Sequence, residues 1–171
     1  QPMSARRQRQ MCIRDSSKVT FFEDEKSLNR YSQIGPKIET GFEFIKANLY
    51  GDRAAFPSAS IFRLEEVKAF GGYPQIGNAT DFGLILLLCL KNNSLVSFVD
   101  EPLLNYHLHE ENLSLKENHI DGLDALIEWI KIVLKDHQNL MKLAMKKYQN
   151  DLLSTYRFHK AKGNIKLMHK I

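Results

Sequence analysis

The sequence predicts an α/β domain followed by a helical C-terminal extension. In the first two thirds of the chain, short β-prone segments alternate with segments whose apolar residues recur at helical spacing. From Leu115 onward the apolar residues follow helical spacing alone. The resulting order, β-α-β-α-α-β-α-α, is typical of a sheet covered by helices, with further helices added after it.

The first sixteen residues are excluded from the predicted fold. Gln1–Ser16 contains four arginines and no apolar periodicity, and Met11–Ser16 resembles a translated adapter remnant. We therefore expect a non-native or disordered segment, and the alternative is a natural basic arm. Two parts are expected after it, a domain over residues 17–115 and a helical extension with a basic tail over residues 116–171.

Charge is distributed unevenly along the chain. The formal net charge is +4, but residues 17–130 carry 10 basic and 17 acidic side chains, whereas residues 131–171 carry 10 basic and 2 acidic ones. The overall charge is therefore no sign of nucleic-acid binding. The basic tail fits either an anionic membrane surface or a solvated helix face, and both interpretations stay open.

Compartment is indicated by cysteine content and hydropathy. Cys89 is the only cysteine outside the first segment, so the sequence predicts neither a disulfide framework nor a zinc site. No apolar stretch reaches the ~18–20 residues of a membrane span. We expect a cytoplasmic protein, either free or at the inner face of the membrane.

The first half of the domain predicts two strands and a helix. Val19–Phe22 is short and β-prone, and Phe56–Phe62 has the small, β-prone residues of a buried strand. Gly51 ends the helix between them. Four apolar residues at helical spacing define that helix: Ile38, Phe42, Ile45 and Leu49.

The second half predicts two helices before the next strand. Leu64–Phe70 carries acidic residues in its first turn and is followed by Gly71 and Gly72, which are typical of a helix C-terminus. Asp81 opens the run 82–90, which is apolar on every side and is therefore expected to be a core helix.

A strand and two helices complete the predicted order. Leu95–Tyr106 predicts a strand that is interrupted near Pro102. Two amphipathic helices follow after Leu115, and the second has a basic face.

Asp81 is the first candidate for chemistry. A carboxylate at the start of a helix, next to a glycine-containing loop, can face a cleft and accept a proton from a hydroxyl group. The alternative is that Asp81 is only the N-cap of its helix, which contributes about 1 kcal/mol.

His107 and His109 are the second candidate. Residues two apart on a strand project to the same face, and such a pair can hold a metal ion or a phosphate. The alternative is an ordinary surface pair. The sequence contains no phosphate-binding glycine motif, no Gly-x-Ser-x-Gly and no His-Glu-x-x-His, so P-loop, Rossmann, hydrolase and zincin functions have no support.

Taken in order, these motifs resemble the C-terminal half of family 2 glycosyltransferases of the GT-A fold. The family pattern is a small-residue strand ending near an Arg, a helix, Gly-Gly-aromatic, an acidic pair, an apolar helix and Tyr-Arg-x-His-x-x-x-x-Ser. The match covers roughly residues 19–115. The matching segments are Ser58–Arg63, Leu64–Phe70, Gly71–Pro74, Asp81–Leu90 and Tyr106–Ser114.

The resemblance implies an inverting transfer of a sugar from a nucleotide-sugar donor to a glycan or lipid-linked acceptor. It implies that Asp81 is the base that deprotonates the acceptor hydroxyl, and that His109 lies near the Mg²⁺ or Mn²⁺ cofactor or the donor diphosphate. The implied substrate-binding residues are Ser60, Arg63, Gly71, Gly72, Tyr106 and His107.

Three departures qualify the resemblance. Thr80 stands where the family often has the first acid of the pair, and His107 replaces the usual Arg. The Asp-x-Asp motif of the nucleotide-binding half has no counterpart in the sequence. We therefore expect an N-terminally truncated enzyme that is inactive alone and whose main metal ligands lie outside this chain.

Two other functions stay open from the sequence. The first is a non-catalytic interaction domain that docks on a membrane or a partner through the basic tail. The second is a metal-dependent nucleotide-sugar hydrolase, in which Asp81 would activate water.

Overall fold

The protein is a mixed α/β protein, as the sequence predicts. More of its described residues lie in helices than in strands. The structure, a computed structural model, describes residues 12–23, 26–28, 36–53, 57–108 and 119–161. Contacts divide the chain into two units. The first unit comprises residues 1–74 and 81–116, and the second comprises residues 75–80 and 117–171.

The described elements follow the order β1-β2-β3-α1-β4-α2-α3-β5-α4-α5. This is the predicted order with β2 and β3 in addition. The strands are β1 Cys12–Glu23, β2 Lys26–Leu28, β3 Ile38–Thr40, β4 Ser60–Ile61 and β5 Ser94–Leu108. The helices are α1 Gly41–Tyr50, α2 Leu64–Ala69, α3 Thr80–Leu90, α4 His119–Val133 and α5 Gln138–Ala161, with 3₁₀ turns at Pro57–Ala59 and Gly77–Ala79.

The sheet of the first unit has the strand order β2-β1-β5-β3, and β4 also pairs with β1. β1 and β5 are parallel along their whole length, from Cys12 opposite Ser94 to Glu23 opposite Leu108. β3 is antiparallel to β5, and β2 and β4 are antiparallel to β1. The parallel pair therefore forms the centre of the sheet.

β5 is irregular where the sequence predicts an interruption. Lys18 of β1 is opposite Pro102, and its neighbours Ser17 and Val19 are opposite Val99 and Leu104. β5 thus advances five residues while β1 advances two. Proline has no N–H to donate to a neighbouring strand, so a break in register at this point is expected.

Local signals at both ends specify α1. The N–H of Glu43 donates to Thr40 Oγ1 at 3.2 Å, and the Thr40 N–H donates to the Glu43 carboxylate at 3.2 Å, which forms a capping box. At the other end Gly51 has φ +92, and its N–H donates to the Asn48 carbonyl oxygen at 3.1 Å. Glycine adopts this left-handed conformation at little cost, so the helix stops where the sequence predicts.

The fully buried side chains of the first unit come from α1, α3 and β5. α3 is a core helix, as predicted from its apolar run, and Phe44 of α1 lies with its ring centroid 5.9 Å from that of Phe98 in β5. Each such side chain contributes roughly 1.5–3 kcal/mol when buried. The set is Phe44, Ile45, Leu84, Ile85, Leu86 and Val96.

The prediction of a buried strand over Phe56–Phe62 is wrong. Pro57–Ala59 forms a 3₁₀ turn, and the strand that follows has only two residues, Ser60 and Ile61. The Ile61 side chain is 71% exposed. Pro57 fixes its own φ and donates no N–H to a neighbouring strand, which favours a turn at this point over a strand that starts at Phe56.

The prediction that Ile38 belongs to the helix ending at Gly51 is also wrong. Ile38 lies in β3 and is 52% exposed. The reason is local, because Thr40 adopts an extended conformation as the N-cap and α1 therefore starts at Gly41.

β1 starts inside the segment that the sequence pattern excluded from the fold. Asp15 pairs with Ile61, and Ser16 pairs with Ser60. Cys12–Ser16 is therefore part of the sheet. The non-native origin of Gln1–Ser16 stays a prediction.

The start of α1 packs tightly against the connection between α3 and β5. The Ser94 hydroxyl donates to the carbonyl oxygen of Cys89 at 2.7 Å, which ties the two ends of this connection together. A Cβ placed on Gly41 would lie 2.1 Å from Ser94 Oγ and 2.4 Å from the Cys89 carbonyl oxygen. Only glycine fits at the first position of α1.

The second unit contains α4 and α5, which confirms the two predicted helices. Its buried side chains are Ile76, Ile127, Ile130, Leu134, Leu140 and Ala144. The Tyr148 hydroxyl donates to Asp124 Oδ1 at 2.5 Å, and this hydrogen bond, together with partial burial, raises the pKa of Tyr148 to about 12. None of the described helices combines the length and the hydrophobicity that crossing a membrane requires.

A charged pair joins the segment just before α1 to the segment just after it. Arg53 Nε donates to Glu39 Oε1 at 3.4 Å, and the Glu39 side chain is only 7% exposed. Burial raises the pKa of Glu39 above its ordinary value of 4.5, and the Arg53 guanidinium partly opposes this shift. Asn48 Nδ2 donates to the Arg53 carbonyl oxygen at 2.8 Å and so holds Arg53 in place.

We expect Arg53→Gln to destabilise the protein more at pH 7 than at pH 4. Because the folded-state pKa of Glu39 is raised, this group favours folding at pH values below 4.5 and loses that contribution as the pH rises through the raised pKa. At pH 7 the variant would bury a carboxylate without its cation, at a cost of about 1–3 kcal/mol. At pH 4 the protonated Glu39 needs no cation.

Urea unfolding at both pH values measures the difference. The control is Lys131→Gln, which breaks an exposed ion pair with Glu128 and should cost less than about 0.5 kcal/mol at either pH. An equal loss for Arg53→Gln at pH 4 and pH 7 would contradict the account of Glu39.

Candidate functional site

Asp81 lies in the first turn of α3. Thr80 already has helical dihedral angles, φ −48 and ψ −43, and its hydroxyl donates to the Gly77 carbonyl oxygen at 2.6 Å. An N-cap residue has non-helical angles, so the alternative of Asp81 as N-cap is wrong. The 3₁₀ turn Gly77–Ala79 is followed directly by α3, which starts at Thr80. Asp81 is therefore the second residue of the helix.

The Asp81 carboxylate is accessible to a ligand. Its side chain is exposed, whereas Gly83, Leu84, Ile85 and Leu86 directly after it are buried. Within the part of the chain that the structure describes, the carboxylate makes no hydrogen bond or ion pair. A negative charge is favourable at this end of the helix dipole. Chemically, an exposed carboxylate can accept a proton from a hydroxyl group that comes within ~2.6–3.2 Å.

Gly71 and Gly72 form the C-terminal cap of α2. The N–H of Gly72 donates to the Val67 carbonyl oxygen at 2.9 Å, and that of Gly71 donates to the Lys68 carbonyl oxygen at 3.0 Å. Both glycines have positive φ, +78 and +90. This is the Schellman arrangement, so the helix end alone accounts for the pair. A Cβ at either position would meet no atom within 4 Å.

Ser60 and Arg63 both lie just before α2. Ser60 is in β4, and Arg63 is the N-cap residue of α2 without a side-chain capping hydrogen bond. Both side chains are half-buried and both have interaction partners in the structure. Ser60 is therefore in a strand, but that strand has only two residues and does not reach Arg63.

Tyr106 and His107 lie near the C-terminal end of β5. Their backbones pair with Phe21 and Phe22 of β1. β5 ends at Leu108. His109, the residue predicted to lie near the metal or the donor diphosphate, is outside the described residues, and the same holds for the predicted common face of His107 and His109.

The sheet register separates the predicted substrate contacts into two regions. Ser60 is opposite Ser16 in β1, and His107 is opposite Phe22 on the other side of the same strand. Six residues of strand span about 20 Å. Ser60 and Arg63 therefore belong to one part of the sheet, and the backbones of Tyr106 and His107 belong to another.

An ion pair joins α2 to the residue that follows the C-terminal end of α3. Lys91, which follows α3, forms an ion pair with Glu66 of α2. Ten residues of helix correspond to about 15 Å, so this ion pair lies roughly that far from Asp81 along α3. The pair joins residues that no local pattern connects, which is why the sequence did not reveal it.

Metal binding has no support among the described residues. No group of three or more His, Cys, Asp or Glu side chains in those ranges could hold a metal ion. The predicted Mg²⁺ or Mn²⁺, whose main ligands are expected outside this chain, therefore stays a prediction.

Comparisons with known proteins assign no family. No protein-family model matches the chain, and neither the curated proteins nor the solved structures contain a significant match to it.

Proposed function

We propose that this chain carries the acceptor-side half of a family 2 glycosyltransferase of the GT-A fold, with Asp81 as the catalytic base. The observation that carries the proposal is the exposure of Asp81 in the first turn of a helix whose next turn is buried. A fixed helix end holds the carboxylate in place while leaving it accessible to a hydroxyl group.

The order of the elements supports the proposal. α2 ends at Gly71 and Gly72, α3 follows with Asp81 in its first turn, and β5 ends shortly after Tyr106 and His107. The family pattern has its helices and strands in the same order as these elements. Of the small-residue strand in the family pattern, only Ser60 and Ile61 form a strand, β4.

In the proposed reaction Asp81 acts on the acceptor. The oxygen of an acceptor hydroxyl attacks the anomeric carbon of the donor sugar, and Asp81 takes the hydroxyl proton. The bond between that carbon and the diphosphate oxygen breaks, and its electron pair leaves with the nucleoside diphosphate. Proton transfer by one positioned carboxylate contributes roughly 10²–10⁴-fold to such a rate.

The substrate contacts are proposed for two groups of residues. Gly71 and Gly72 expose backbone next to open space, which suits the approach of a sugar ring. The second group is Tyr106 and His107 near the end of β5, together with His109, which lies outside the described residues. Since the described residues do not form a metal site, this mechanism assigns no step to a metal held by them.

A saccharide titration followed by ¹H–¹⁵N NMR tests the proposal on the chain as it is. We expect small glycans to shift the backbone amide signals of Gly71, Gly72 and residues 80–82. Asp81→Asn should weaken binding about tenfold, because a hydrogen bond to a charged group is lost.

Glu65→Gln is the matched control. Glu65 is also an exposed acid in the first turn of a helix in the same unit, so both variants lose the same favourable charge at a helix start. The control should bind as the wild type does. If no saccharide shifts the named amides, or if Asp81→Asn binds as tightly as Glu65→Gln, the acceptor site is elsewhere or absent.

A further inference from the structure

One face of α5 carries positive charge along most of its length. Lys142, Lys146, Arg157 and Lys160 are all exposed, and Leu153 between them is 54% exposed. At 100° per residue these five positions fall within an arc of about 60°, and they extend over about 27 Å. We call this set the basic stripe.

No acid of α5 neutralises the basic stripe. Asp151 is the only acidic residue in α5, and it lies about 150° around the helix from the centre of the stripe. Asp151 is paired with Lys147, whose Nζ is 3.1 Å from its carboxylate. Within the described residues, the four cations of the stripe form no ion pair. The stripe therefore presents charge of a single sign to solvent.

The opposite face of α5 belongs to the interior of the second unit. Leu140 and Ala144 are buried, and Tyr148 donates its hydroxyl to Asp124 of α4. The packing of the helix is thus complete without the stripe, whose residues contribute little to folding. Four cations on a helix face without an acid among them repel one another slightly, so folding gives no reason for the pattern.

We propose that the basic stripe docks the protein on an anionic lipid surface. A straight row of cations matches a plane of anionic headgroups, and Leu153 in the middle of the row can enter the headgroup boundary. A single-stranded nucleic acid fits less well, because such sites stack bases on aromatic rings. None of the exposed side chains that the structure describes on α5 is aromatic.

Vesicle sedimentation with the full chain tests this docking. The probes are phosphatidylcholine vesicles with and without about 30 mol% phosphatidylglycerol. We expect binding only to the anionic vesicles, with a steep decrease between about 50 and 300 mM salt. Replacing the four cations of the stripe by Gln should lower the partition coefficient about tenfold or more.

The matched control removes the same charge elsewhere. Four exposed lysines outside the stripe are replaced by Gln: Lys37, Lys46, Lys68 and Lys135. This variant has the same net charge as the stripe variant and should keep its partition coefficient within about threefold of the wild type. Leu153→Gln, which changes no charge, should lower binding severalfold.

Three results would overturn the proposal. The first is an equal loss in the stripe variant and the control, which would indicate net charge alone. The second is no binding of the wild type to anionic vesicles at low salt. The third is tighter binding to a single-stranded polynucleotide, with displacement of the vesicles. Circular dichroism of each variant confirms that it is folded before binding is compared.

Discussion

Replacement of Gly41 by alanine is expected to destabilise the first unit by about 3 kcal/mol, at the upper end of overpacking effects. The added Cβ would overlap the Cys89 carbonyl oxygen and lie only 2.7 Å from the Cys89 Cα, besides its contact with Ser94 Oγ. A side chain can rotate away, but backbone atoms at a helix end cannot. Either α1 or the connection from α3 to β5 must shift, and both belong to the core.

Thermal and urea unfolding measure the loss of stability in Gly41→Ala. Two further variants serve as comparisons. Gly71→Ala adds the same methyl group in open space, so its cost is limited to the left-handed φ, about 1 kcal/mol. In Gly41→Ala/Ser94→Ala the overlap with Oγ is removed while the overlap with Cys89 remains, so stability should not recover. A Gly41→Ala variant as stable as Gly71→Ala would contradict the packing described for α1.

Local sequence signals predicted the helices well. Gly71 and Gly72 mark the end of α2, and the all-apolar run after Asp81 marks α3 as a core helix. The Thr40-x-x-Glu43 signature of a capping box was also present in the sequence and would have placed the start of α1 after Ile38. These features depend on neighbouring residues, which is why a single sequence contains them.

The pairing of the strands could not be predicted from the sequence. β1 and β5 pair over their full length although about 80 residues separate them. The same is true of Gly41, whose neighbours Cys89 and Ser94 lie about 50 residues away. Such contacts depend on the global arrangement, and periodicity within one segment carries no information about them.

The residues proposed for the candidate site come from the sequence, whereas their geometry could not be predicted from it. Asp81 changes from an N-cap to a first-turn residue when the start of the helix shifts by one or two positions. A sequence pattern does not locate a helix start that precisely. The separation of Ser60 from His107 follows from the register of β1 with both β4 and β5. No motif encodes that register.

Asp81→Asn is expected to abolish sugar transfer in the complete glycosyltransferase that the proposal implies. The asparagine keeps the size of the side chain but cannot take the proton of the acceptor hydroxyl, so turnover should fall roughly 10²–10⁴-fold. In the proposed enzyme, donor binding would depend on the nucleotide-binding half, so the donor affinity should be unchanged. Glu65→Gln should leave both quantities unaltered.

The proposal that Asp81 is the base is tested by measuring turnover and donor affinity in the complete glycosyltransferase, with Asp81→Asn and Glu65→Gln compared with the wild type. We expect only Asp81→Asn to lose turnover, while all three proteins bind the nucleotide-sugar equally well. Wild-type turnover in Asp81→Asn would contradict the assignment of the base. Equal losses of turnover in Asp81→Asn and Glu65→Gln would also contradict it, since the effect would then come from charge at a helix start.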